Sequence, residues 1–143
     1  GRFFEFVHYV DVKPMINQLQ CNVMAQQNDI VPVLNETDTK IMAWGPLGGQ
    51  GVDGIVQNEI LSAIGAKYGK TAAQVALRWL TQRGIVAIPK SVHVERMQQN
   101  FDIFDFSLTA DEMTQVATLN QQDAGFIDFN SLSFVKYLIE KYG

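Results

Sequence analysis

The chain has 143 residues, 47% of them apolar and 18% charged, which suits one domain with a useful core. Its net charge of −4 and pI near 5.0 exclude a general nucleic-acid or anionic-membrane surface, so any basic site must be local. A single cysteine, Cys21, excludes an internal disulfide framework, and no apolar run approaches the ~20 residues of a membrane span; a soluble, cytoplasmic protein is expected.

The opening "RFFEFVHYV" has no N-cap, yet Phe3, Phe6, Val7 and Val10 follow helical spacing, as the last turns of a helix would. "KPMINQLQCNV" reads as a strand with Pro14 at its entrance, where a missing N–H does least harm. "AQQNDIVPVLNETDT" predicts a short helix interrupted by Pro32. "KIMAWGPLGGQGVDG" starts as a buried strand and breaks into a glycine-rich loop. Asn58 can cap a helix that ends at Gly69, and Thr71 with Gln74 is a capping-box pattern for the next helix, which ends at Gly84. Trp79 on that helix is a core residue, and His8 has only a surface role. The β-branched run "IVAIP" is a strand, a helix from about Val94 to Asn100 follows, and Thr109 with Glu112 opens another.

Three strands, Met15–Leu19, Lys40–Ala43 and Ile85–Ile88, alternate with helices. That order predicts an α/β fold with a parallel sheet, whose ligands gather at the C-terminal strand ends. Those ends carry Gln18 and Gln20, then Trp44 with "GPLGGQG", then Lys90 and Ser91. A helix N-terminus already favours anions; Lys90 adds a point charge, Arg96 a planar fork, Ser91 a hydroxyl, and His93 polar atoms if it caps the helix. Together these fit a phosphate monoester. On spacing alone, Lys90 and Arg96 are as readily solvated surface charges.

The segment "GKTAAQVALRWLTQRGIVAIPKSVHVERMQQNFDIFDFSLTADEM", together with "KPMINQLQ" and "IMAWGPLGG", resembles the C-terminal half of the aldo-keto reductases. The resemblance implies that residues 1–143 form the C-terminal part of a (β/α)8 TIM barrel, about three parallel strands with flanking helices, that binds NADP(H) and belongs to an oxidoreductase moving hydride between NADPH and aldehydes or ketones. Lys90, Ser91 and Arg96 would grip the 2′-phosphate, with Val92 and His93 beside them. Gln99 and Asn100 would reach the adenine, Trp44 would stack on the nicotinamide, and Gln18 would bond its carboxamide. Gly45, Leu47, Gly48 and Gly49 would line the pyrophosphate path, and Phe126 and Phe129 in the tail would touch the carbonyl substrate. Gln20, Asn22 and Val23 stand where the family commonly has Glu and then His-Pro.

The family's catalytic Asp, Tyr, Lys and His lie on earlier strands, so no catalytic residue is assigned here. Three strands also leave two open sheet edges, which predicts self-association or a missing N-terminal half. The alternative is a non-catalytic half-barrel remnant acting as an oligomeric or partner-binding module.

Overall fold

The computed structural model describes residues 2–49 and 54–121 and, in the tail, 136 and 139–141. Phe126 and Phe129 lie outside the described residues. The described chain runs α1 (Arg2–His8), β1 (Ile16–Gln20), α2 (Val31–Glu36), β2 (Lys40–Trp44), a 3-10 turn (Ile55–Gln57), α3 (Glu59–Tyr68), α4 (Ala72–Gln82), β3 (Val86–Ala87), α5 (Val94–Phe101) and α6 (Ala110–Ala117).

The three strands form one parallel sheet in the order β1-β2-β3. Register pairs Gln18 with Met42 and Gln20 with Trp44, so these four residues share one face, because side chains alternate along a strand. The opposite face sends Ile41 and Ala43 into the core. That core is built with Leu61, Ile64, Val75, Leu77, Trp79 and Leu80 of α3 and α4. Trp79 anchors it: its indole N–H donates to the Met113 carbonyl at 3.2 Å, and the Arg83 guanidinium lies 4.3 Å from its ring centre. His8 is exposed, edge-on to Tyr9.

The caps fall where the sequence puts them. Asn58 accepts from the Leu61 N–H, and Gly69 takes the left-handed conformation, φ 65°, that ends α3. Thr71–Gln74 and Thr109–Glu112 are both complete capping boxes. The third strand is shorter than expected. Only Val86 and Ala87 ladder with β2, and the Ile88 N–H adds one more bond, to Ala43.

Candidate functional site

The two loops that leave the C-terminal ends of β2 and β3 meet over the start of α4. After β2 the chain turns at Gly45, whose carbonyl accepts from the Gly48 N–H at 3.1 Å. Gly45, Gly48 and Gly49 have φ of 60°, 92° and 91°, conformations that L side chains rarely adopt, so the turn needs its glycines. Asn22 braces it from the β1 side. Its side-chain nitrogen donates to the Gly45 carbonyl at 3.2 Å, while its oxygen accepts from the N–H groups of Met24 and Ala25 at 2.9 Å each. The departure from the expected His-Pro therefore has a structural job, an Asx turn that holds the glycine loop.

Between this turn and α5 lies a cleft of about 640 Å³, lined by Leu47, Gly48, Gly49, Val56, Gln57, Thr71, Ala73, Lys90, Ser91, Arg96, Gln99 and Asn100. Its size is that of a small-molecule site. Two cations, three side-chain amides and a glycine backbone line it. Lys90 and Arg96, six residues apart, both line it. The arrangement can hold a phosphate through Lys90 and Arg96, a second polar group through Gln99 and Asn100, and a backbone-hugging chain along Gly48 and Gly49.

Five other predicted residues do not line the cleft. Gln18 is exposed on the sheet face, its amide 3.7 Å from the Met42 sulfur. Trp44 is half-buried at the last position of β2, and Gly45 follows as the hinge of the turn. Val92 and His93 are exposed. His93 occupies the N-cap position of α5 but makes no side-chain capping bond. Ser91 instead shapes this corner: its hydroxyl accepts from the His93 N–H at 3.1 Å and donates to the His93 carbonyl at 3.2 Å. Val56, Gln57, Thr71 and Ala73 were not anticipated. Thr71 reads in sequence as a helix cap and nothing more, although the same cap aims the first turn of α4 into the cleft.

Gln20 is 5% exposed, and neither its side-chain nitrogen nor its oxygen has a hydrogen-bond partner among the described residues. Tyr68 is committed to structure, donating to Glu112 at 2.6 Å. Among the described residues no group of His, Cys, Asp and Glu side chains could hold a metal ion, and no helix is long and apolar enough to cross a membrane.

The sequence model of the Aldo/keto reductase family matches residues 8–121. The chain is 41% identical over 110 residues to 9,11-endoperoxide prostaglandin H2 reductase of Trypanosoma cruzi, covering 77% of this chain and 39% of that protein. It superimposes with a TM-score of 0.85 and 32% identity on MGS-M4, an aldo-keto reductase enzyme from a Medee basin deep-sea metagenome library, over 91% of this chain and 48% of that one. The D53A mutant of Gox0644, solved in complex with NADPH, gives a TM-score of 0.79 at 29% identity, over 87% and 45%. The chain thus spans less than half the length of these relatives, and its sheet and helices correspond to part of their (β/α)8 barrel. With the family signature running through the strands, the glycine turn and both walls of the cleft, the chain belongs to the aldo/keto reductase family.

Proposed function

We propose that this chain is the NADP(H)-binding portion of a reductase that transfers hydride between NADPH and an aldehyde or ketone. One observation carries the reading: Lys90 and Arg96 line the same cleft as Gly48 and Gly49, so a phosphate-bearing ligand can meet two cations and a bare backbone at once. The donor set fits the adenosine end of the cofactor. Lys90 and Arg96 hold the 2′-phosphate, Ser91 and the backbone of Val92 and His93 shape the corner around it, and Gln99 and Asn100 bond the adenine. Gly45, Leu47, Gly48 and Gly49 let the pyrophosphate approach. Trp44, at the strand end just before the turn, offers an aromatic face for the nicotinamide, and Gln18 an amide for its carboxamide.

When bound, the nicotinamide supplies the hydride. The chain's own residues select, extend and orient it. A single buried cysteine, and no pair to oxidise, supports a reducing compartment such as the cytoplasm.

The test is a titration of NADPH and NADH against the natural full-length protein and its Arg96→Ala variant. Losing a bidentate charged contact should weaken NADPH by about 10- to 100-fold and NADH far less. Equal losses for the two would refute the phosphate role.

A second reading has its own support. Met15, Ile16, Val86 and Ile88 are exposed on or beside the outer strands, and the buried side-chain amide of Gln20 has no hydrogen-bond partner among the described residues. These features favour a half-barrel that associates with itself or with further barrel chain, and as a stand-alone chain it would be a non-catalytic binding module.

A further inference from the structure

One wall of the cleft, α5, has little to hold it in place. None of its eight residues is buried, Met97 and Phe101 are 48% and 78% exposed, and a helix this short does not persist by itself. Yet Arg96, Gln99 and Asn100 all stand on it, within two turns of Asp102, its C-terminal cap.

At that cap the helix is gripped. The ammonium of Lys70 reaches Asp102 Oδ2 at 2.8 Å, the Asp102 carbonyl at 3.2 Å and Asp105 Oδ2 at 2.8 Å. Three donors thus meet three acceptors. The lysine is the inner partner: its side chain is 8% exposed, against 61% and 60% for the two aspartates. Gln74 adds a fourth tie, donating to the Asp102 carbonyl at 2.9 Å while its oxygen accepts the Thr71 N–H in the capping box. Residues 70–74 therefore do two things at once. Thr71 and Ala73 form one wall of the cleft, and Lys70 and Gln74 anchor the opposite wall.

We propose that Lys70 is a positioning residue, fixing through Asp102 and Asp105 the distance at which α5 presents Arg96, Gln99 and Asn100 across the cleft. The proposal rests on the cofactor reading of that cleft. Lys70 itself touches no cleft ligand; it acts through the helix.

Hydrogen exchange and cofactor titration on the natural full-length protein test it together, with Lys70→Met and Lys70→Arg. Methionine keeps the buried stem, and the aspartates it abandons are exposed enough to be hydrated. In Lys70→Met the amides of Met97 to Asp102 should exchange about tenfold faster while those of α3 stay unchanged, as expected for losing charged hydrogen bonds at one helix end. NADPH should bind about three- to tenfold more weakly, and Lys70→Arg should recover most of both effects. Asp102→Asn with Asp105→Asn makes the same test from the exposed side, should the lysine variant fold poorly. Unchanged exchange at α5 overturns the clamp whatever the cofactor does. Faster exchange with unaltered NADPH affinity overturns the positioning role. If Arg96→Ala does not distinguish NADPH from NADH, the cofactor reading fails on its own, and the exchange data still judge the clamp.

Discussion

Glu112 shows how much a single side chain can concentrate. It is 4% exposed and sits among the Tyr68 hydroxyl at 2.6 Å, the Thr109 N–H at 2.9 Å and the Lys67 ammonium at 3.0 Å. Burial pushes its carboxyl up, but these three donors outweigh burial and hold it down at about 2, from an ordinary 4.5. A folded-state value below the unfolded one means the ionised carboxylate adds stability that is fully present above about pH 4.5 and lost as pH falls toward about 2. Urea midpoints measured across that range should fall steeply, and Glu112→Gln should start lower at pH 7 with a flatter acid limb. An acid limb as steep in the variant would assign the loss to other carboxylates. The capping half of this network was legible, since Thr109 and Glu112 stand three apart before an apolar run. The tyrosine and lysine were not, because they come from α3, 44 and 45 residues away in sequence. The same divide separates Thr71 the cap, which local pattern reveals, from Thr71 the cleft wall, which only the packing of α4 beside the glycine loop creates.

Among elements, α3 and its exit explain why the clamp on α5 is so well placed. The Lys70 N–H donates to the Gly65 carbonyl at 2.9 Å, folding the chain back on the helix it has just left. A Cβ at Gly65 would lie 2.3 Å from the Lys70 carbonyl oxygen. Two effects then compete in Gly65→Ala. Helix propensity favours alanine by about 1 kcal/mol. The clash is with backbone, which cannot swing aside, and forcing extra volume into such a site costs about 2–3 kcal/mol. The clash should win, giving a net loss of about 1–2 kcal/mol in the urea-unfolding free energy. A stabilised variant would show that the turn relaxes freely. Sequence pattern located the strands to within a residue or two because β-branched runs and caps are local signals. It overestimated β3, whose length depends on neighbours: β2 offers it hydrogen bonds along one edge only. It left open whether the His93 side chain caps α5; it makes no capping bond, and the Ser91 hydroxyl closes the corner by accepting from the His93 N–H.

On the scale of the whole molecule, the sheet of the described residues is parallel, three strands wide and open at both edges. Apolar surface gathers beside those edges, Met15 at 80% exposure on one side and Phe101 and Phe104 at 78% and 62% on the other. Solvated surfaces of that kind associate. Light scattering on the isolated 143-residue chain should return a mass above the 16.0 kDa of one copy, rising with concentration; a monomer at every concentration would remove the self-association reading. The cleft, by contrast, draws on a short span: among the described residues, those that line it run from Leu47 to Asn100. Coenzyme preference should therefore travel as a cassette. Grafting this one contiguous stretch between relatives of opposite taste for NADP and NAD would make chimaeras that exchange their redox currency while the host keeps its own chemistry.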